Sequence, residues 1–446
     1  MSEEKTQSVL VIGAGPAGLY SAGKLAEAGK KVVLLNRDVK YGGLAEYGIY
    51  VAKHKMKEGL RKQFRKILSS PNVEYFGNVT VGKNGSLSLD ELKALNFDAI
   101  MVTAGAQGTK KVGISGEDAS GVFHAKDLVY HYNHLPPFSE KEVNIGKRVG
   151  IIGVGNVMVD IAHWLVHTKK VEQVVAIARR GPNERAYTDK EFQAIAYNAD
   201  VEGIKSELER VRPYLEKVSQ DVDKTFQELT KDCAKQYYEE KSPTKFSFKF
   251  LCAPKNIITN DKNQVVGVEV DENELSERDG KISAKSLNKT SVIELDSIVF
   301  AIGDTVDGSL GLPVNKWGEF VKNETAYSED PNKNLYELFD ETNNKVVDGI
   351  FVAGWSRKAS DGLVGIAKKD GETCVKYVLD YLSKKEVSDN SQTGKLKELL
   401  DSKNLKYVTK EHISKLEEVE LNEAQKRGLE FYKFDFNEEM LKVIFG

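Results

Sequence analysis

Two glycine-rich turns, each following an apolar run, constrain this chain more than any other feature. They are Gly13-Ala14-Gly15-Pro16-Ala17-Gly18 near the start and Gly153-Val154-Gly155-Asn156 about a third of the way along. In a strand-turn-helix unit such glycines permit the tight turn and let the backbone approach a pyrophosphate, which then rests on the positive end of the helix. Two turns of this kind predict two bound dinucleotides, as in a protein that holds two redox cofactors next to one another. The first turn is complete, with Val9 to Ile12 as the strand, Gly13, Gly15 and Gly18 as its glycines, and Ala17 to Ala28 as the helix. The second carries Gly153 and Gly155, with Met158 at the third glycine position.

Length and composition bound the rest. At 446 residues the chain exceeds one ordinary core and suggests roughly two or three domains. Apolar content of 40% and charged content of 29% describe a soluble globular chain. No stretch approaches the roughly 20 apolar residues of a membrane span, and Met1 to Ser8 is too polar to open a signal peptide, so a cytoplasmic chain is expected. The 3 cysteines, Cys233, Cys252 and Cys374, are isolated and odd in number, which builds neither a disulfide framework nor a Cys-x-x-Cys pair. Redox chemistry must then be a cofactor's. A net charge of -3 argues against a nucleic-acid-binding surface, and no metal-ligand set or side-chain nucleophile is apparent.

The segment Ser8 to Leu35 reads as strand, turn, helix and second strand, the opening of a βαβ unit. The second strand of such a unit usually ends in an acid that binds ribose; here Asn36 stands there, and an amide can still bond a ribose hydroxyl. A strand at Phe97 to Val102 runs into Ala104-Gly105-Ala106. The next unit opens at Val149 to Ile152, and its following strand, Gln173 to Ala178, ends in Arg179-Arg180. Two guanidinium groups there either attract the 2′-phosphate of NADP or form a solvated basic pair. Glu202 to Ser242 reads as helical scaffold broken at Pro213; strands resume through Phe246 to Val270 and at Ile293 to Ile302. Gly349 to Ala353 leads into Gly354-Trp355, then Gly362-Leu363-Val364-Gly365 and a helical pattern to Leu382. The tail from Ser383 is polar, with short apolar-periodic pieces at Leu396 to Leu400 and Met440 to Phe445.

In this order the motifs resemble the adrenodoxin-reductase-type ferredoxin-NADP reductases, two-dinucleotide flavoproteins. The resemblance spans essentially the whole chain: Gly43-Leu44 with Tyr47-Gly48-Ile49, Gly77 to Gly82, Gly153 to Asp160, Arg179 to Pro182, Tyr187 to Glu191, and Gly354-Trp355 before Gly362. It implies that Ala17, Leu44 and Val81 line an FAD site. Asn36 stands where the family has glutamate. Trp355 and the Gly362, Leu363 and Val364 backbone would lie against the flavin ring, and His54 would be the family's flavin-side histidine. On the NADP side it points to Gly153, Gly155 and Asn156 for the pyrophosphate, to Arg179 and Arg180 for the 2′-phosphate, and to Glu191, with Gly362, near the nicotinamide.

Other readings stand beside these. Thr188-Asp189-Lys190-Glu191 is also a capping box; Trp355 also fits a core residue and His54 a surface histidine. From Lys53 to Lys66, seven basic residues face one acid, Glu58. Spaced as a helix, this stretch turns Leu60, Phe64 and Ile67 inward and the basic residues outward. It is then a solvated face or a dock for an acidic ferredoxin-like iron-sulfur carrier.

The expected fold class is α/β with two Rossmann-like dinucleotide-binding domains, the NADP domain inserted into the FAD domain: residues 1–107 and 306–446 for FAD, 108–305 for NADP. The expected activity is electron transfer between NADPH and a one-electron carrier through FAD. Alternatives are a glutamate-synthase-small-subunit-like oxidoreductase and a catalytically weak nucleotide-binding flavoprotein; a disulfide reductase lacks its cysteine pair here.

Overall fold

The computed structural model describes residues 6–237, 242–324, 331–360, 362–387 and 391–446. The chain forms two compact units, one of residues Met1–Lys110, Tyr130–Glu140 and Gly303–Gly446, the other of Lys111–Val129 and Lys141–Ile302. Tyr130–Glu140, which the sequence reading leaves in the inserted segment, thus belongs to the first unit.

The first unit is built on strands β1 (Ser8–Ile12), β2 (Lys31–Leu35), β3 (Val73–Phe76) and β4 (Ala99–Val102). The short pair β5 (Gly108–Thr109) and β14 (Asp304–Thr305) also joins within the first unit. The first sheet is completed by β15 (Glu337–Asp340) and β16 (Lys345–Val352), in the order β15-β16-β4-β1-β2-β3. All pairs are parallel except β15 with β16. Successive side chains point to opposite faces and both faces are covered, which is why the central strands β1 and β4 are apolar almost from end to end. Val9 and Val11 of β1 enter one core with Leu19, Leu25, Phe64 and Val378. Leu10 and Ile12 enter another with Leu87, Leu92, Leu396 and Leu400. From β1 the chain moves outward through β2 and β3, then returns to β4 on the other flank. This reversal opens the crevice at the carboxyl end of β1 where ligands bind in such sheets.

Helices cover both faces: α1 (Pro16–Glu27), α2 (Leu44–Tyr47), α3 (His54–Leu68) and α4 (Leu89–Ala94) early in the chain, and the 20-residue α11 (Val364–Ser383) later. The tail forms three further helices, α12 (Gln392–Ser402), α13 (Lys410–Arg427) and α14 (Asn437–Phe445), which send Leu396, Leu400, Ile413, Leu416, Met440 and Ile444 into these cores. Its polar appearance in sequence comes from their solvent faces.

A buried ionic cluster ties this tail to the loop after β2. The Glu46 carboxylate takes Arg61 Nε at 2.7 Å and Lys433 Nζ at 2.6 Å. Lys40 is paired with Glu420, and Arg65 with Glu417 at 2.9 Å. Burial alone would raise the Glu46 pKa, but Lys433, Arg61 and Lys40 outweigh it and hold the carboxyl well below its usual range. Removing one member of such a set leaves an uncompensated buried charge, at a cost of about 3–5 kcal/mol. This corrects the outward reading of the basic stretch: Lys57 is buried against Asn133, and Arg61 is bound to Glu46 and Glu58.

In the second unit, β6 (Val122–His124), β7 (Arg148–Ile152), β8 (Gln173–Ile177), β9 (Lys245–Lys249) and β13 (Ser297–Phe300) form a parallel sheet in the order β6-β13-β7-β8-β9. Three antiparallel strands follow β9: β10 (Cys252–Thr259), β11 (Val265–Arg278) and β12 (Lys281–Glu294). Sequence reading ends the strands at Val270 and resumes at Ile293, so it misses a hairpin of two 14-residue arms. Its sign was Asp279-Gly280, both at positive φ (52° and 69°), the pair that a type I′ turn requires. The helices of this unit include α6 (Asn156–His163), α7 (Asp189–Phe192), α8 (Val201–Glu216) and α9 (Val222–Thr230); α5 (Ala125–Tyr132) and α10 (Pro331–Asn334) complete the set. The expected break at Pro213 is not made: α8 runs through it and ends three residues on, so the proline occupies the last turn. Residues 238–241 of the expected scaffold lie outside the described residues.

Candidate functional site

Each glycine of the first turn has its own steric reason. Gly13 has φ +110°, and a Cβ there would sit 2.5 Å from Thr103 O; its N–H donates to Leu35 O at 2.8 Å. At Gly18 a Cβ would fall 2.0 Å from Gly13 O, so α1 crosses the turn too closely for any side chain. Gly15 is the opposite case, for nothing lies within 4 Å of the position a Cβ would take. The turn is therefore closed on the protein side and open on the other, which is the cradle a pyrophosphate needs. Gly15 also starts α1 without a side-chain cap, and the first turn holds no acid. By contrast α4, α8 and α9 are capped by Ser88, Asp200 and Asp221. The orphan N–H groups of α1 are left for an anion.

Other segments of the first unit converge here. Gly42 N–H donates to Ala14 O at 2.7 Å, and the Gly43 Cβ position is 3.0 Å from Gly15 Cα. Leu44 begins α2 and packs beside Tyr47, Tyr130 and Leu135. Ala17 is buried under the Gly354 turn, whose Cβ position is 2.6 Å from Ala17 Cβ. Val81 is half-buried against the second core. Trp355 lies half-buried in the short helical turn Gly354–Ser356, and that turn is fixed by Asp370, which accepts from Gly354 N–H at 2.6 Å and pairs with Arg357. Downstream, Gly362 and Leu363 are exposed and Val364 begins α11, again with neither side-chain cap nor first-turn acid. Leu363 is 67% exposed and Ile366 51%, an apolar lip at the start of an uncapped helix. His54 starts α3, stacks on Phe431 with ring centres 5.0 Å apart, and has Glu58 at 3.9 Å.

Asn36 is only 6% exposed, and its amide is spent inside the protein. Oδ1 accepts from Ala14 N–H at 3.1 Å, and Nδ2 donates to the carbonyls of Asp38 and Lys40, each at 2.9 Å. It braces the glycine turn against the loop after β2, with both N–H groups and one lone pair of Oδ1 engaged, so the buried amide serves the fold rather than the ribose bond that its position suggests.

The second unit repeats the arrangement. Gly153 has φ +120° and a Cβ position 2.4 Å from Ala301 O, while Gly155 again has nothing within 4 Å and starts α6 uncapped. Met158 is wholly buried. Asn156 turns its Oδ1 to the Thr188 N–H at 2.9 Å. The capping box is consequently half formed: Thr188 Oγ1 accepts from Glu191 N–H at 3.3 Å, but the N–H that a reciprocal glutamate would take is held by Asn156. Arg179 and Arg180, past the end of β8, are exposed and make no side-chain bond or ion pair among the described residues. Nearby Arg185 is instead engaged with Glu228 and Asp189. A groove of about 760 Å3 opens beside this loop, lined by Arg185, Tyr187, Thr188, Gln220 and Lys224 among others.

The three cysteines are all buried, Cys233 after α9, Cys252 in β10 and Cys374 in α11. Burial pushes the thiols of Cys233 and Cys252 up to about 11 and that of Cys374 well above its usual value, which keeps all three protonated. Among the described residues no cluster of histidine, cysteine, aspartate or glutamate suits a metal ion, and no helix is long and apolar enough to cross a membrane.

Residues 7–354 match the family described as pyridine nucleotide-disulphide oxidoreductase. The chain belongs to that family. It is 26% identical to the NADPH-ferredoxin reductase FprA of Mycobacterium leprae, covering 98% of each chain. It is 24% identical to the mitochondrial NADPH:adrenodoxin oxidoreductase of Drosophila melanogaster, covering 99% of this chain and 94% of that one. The structure of Mycobacterium tuberculosis FprA in complex with NADPH superposes with a TM-score of 0.79 at 23% identity, covering 99% of this chain and 100% of that one, and so shares its fold. These whole-length matches bear out the resemblance carried by the ordered motifs.

The two classes of glycine separate in a simple test. Gly18→Ala should lose about 3 kcal/mol of unfolding free energy, because backbone must move to admit the methyl. Gly15→Ala should unfold like the parent, yet retain dinucleotide roughly tenfold less well, measured as nucleotide released on denaturation after dialysis.

Proposed function

We propose that this chain is an FAD-dependent oxidoreductase that moves electrons between NADPH and a one-electron iron-sulfur carrier of the ferredoxin class. The observation that carries the reading is the pair of uncapped, glycine-opened helix starts, the second accompanied by two arginines that have no side-chain partner among the described residues. When bound, FAD supplies the conversion between two-electron and one-electron transfer that neither a nicotinamide nor a side chain provides.

The residues then take distinct tasks. The N–H groups after Gly15 hold the FAD pyrophosphate, with Ala17, Leu44 and Val81 as apolar lining. Trp355 and the backbone of Gly362, Leu363 and Val364 face the isoalloxazine, where the open N–H groups of α11 stabilise negative charge on the ring. Gly153, Gly155 and Asn156 hold the NADP pyrophosphate. Arg179 and Arg180 grip the 2′-phosphate, which NADH lacks. Glu191 lies toward the nicotinamide, and His54, with Glu58 within reach of its ring, handles protons beside the flavin.

For the carrier, the free charge of α3 is narrower than the sequence suggests. With Arg61 and Arg65 neutralised by carboxylates, Lys55, Lys62 and Lys66 remain exposed and unpaired among the described residues. At spacings of seven and four they form one stripe of the helix. An acidic iron-sulfur protein docks on this stripe by long-range attraction.

Mixed anaerobically with NADPH, the purified protein should lose a yellow flavin absorbance. Arg179→Gln with Arg180→Gln should raise the NADPH concentration needed by about 10–100-fold without changing the response to NADH. A colourless preparation, or one that NADPH does not bleach, contradicts the reading. Reversing Lys55, Lys62 and Lys66 together to glutamate should slow ferredoxin reduction about tenfold at low ionic strength, less so in salt, and leave reduction of a small dye unchanged.

A further inference from the structure

Asn36, at the end of β2 where such sites read ribose, is buried with its amide engaged inside the fold. The next residue is differently placed. Arg37 is exposed, and its Nε donates to Asp38 Oδ1 at 2.8 Å while Nη1 donates to Gln107 Oε1 at 3.1 Å. Gln107 follows β4 and Arg37 follows β2, and β1 lies between those two strands. The bond therefore joins the two flanks of β1 at its carboxyl end, where the Gly13 turn opens. A guanidinium carries five N–H groups, and two are used here. The other three, including both on Nη2, have no partner among the described residues.

We infer that Arg37 anchors the adenosine end of the dinucleotide held by the first glycine turn, in place of the carboxylate that such sites carry. The inference rests on the reading of that turn as the FAD site. It reverses the polarity of recognition: a carboxylate accepts from the ribose hydroxyls, whereas the three open N–H groups donate to ribose or adenosine-side phosphate oxygens. Gln107 and Asp38 hold the guanidinium in place before the ligand arrives, so little side-chain freedom is lost on binding.

FMN, which shares the isoalloxazine and one phosphate but lacks the adenosine, separates this role from a general one. Full-length protein stripped of flavin is titrated with FAD and, separately, with FMN, following flavin fluorescence. In Arg37→Ala the FAD dissociation constant should rise about 10–100-fold while that of FMN stays at the parent value, and Arg37→Lys should recover part of the loss. Unchanged FAD affinity in Arg37→Ala overturns the proposal, and so does an equal loss for FAD and FMN, which would mark Arg37 as merely structural. Parent protein that binds neither flavin would instead overturn the FAD reading beneath it.

Discussion

The close approach of α1 to the carboxyl end of β1 is the constraint on which the first unit depends. Gly18 lies so near the Gly13 carbonyl that a single methyl would meet it at 2.0 Å, and Thr103 Oγ1 closes the gap from β4 by donating to the same carbonyl at 2.8 Å. This contact fixes the helix axis, and the axis aims the unsatisfied N–H groups of Gly15, Ala17 and Gly18 into the crevice, Pro16 having none to offer. Asn36 braces the turn from the other flank through the Ala14 N–H. What looks in sequence like the loss of a ligand is in the fold the gain of a strut.

Charge is partitioned with equal clarity. Glu46, Arg61, Lys433, Lys40 and Glu420 are sealed within the first unit and serve to fasten the tail. Arg179, Arg180, Lys55, Lys62 and Lys66 are exposed with no partner among the described residues, and Arg37 keeps most of its donors open. The paired cations fasten the fold, and on the function proposed above the open ones are those assigned to phosphate and to the carrier.

Much of this was legible in the sequence because period and turn chemistry are local. The strands around Gly13 and Gly153 are apolar runs buried on both faces, and the glycines between them have no other residue's geometry to adopt. The hairpin of β11 and β12 escaped because the far half of β11 is mostly polar and β12 lies largely exposed, leaving Asp279-Gly280 as its signal. In the tail, α12 and α14 showed in sequence as apolar-periodic pieces, whereas α13 escaped for a related reason, burying only Ile413, Leu416, Glu420 and Ala424. The inward turn of Lys57 and Arg61 could not be read at all, since their partners Asn133 and Glu46 are brought near only by the tertiary fold. Asn36 shows the same limit at the candidate site: its residue type allows a ribose bond, and only packing reveals that its amide is already used.

The central claim is that one chain carries two separate dinucleotide sites of different chemistry, and stoichiometry tests it most directly. Denatured holoprotein should release one FAD per chain, and calorimetric titration of the undenatured holoprotein with NADP should then add one equivalent without displacing flavin. Release of no flavin, or NADP binding that competes with it for a single site, would contradict the account.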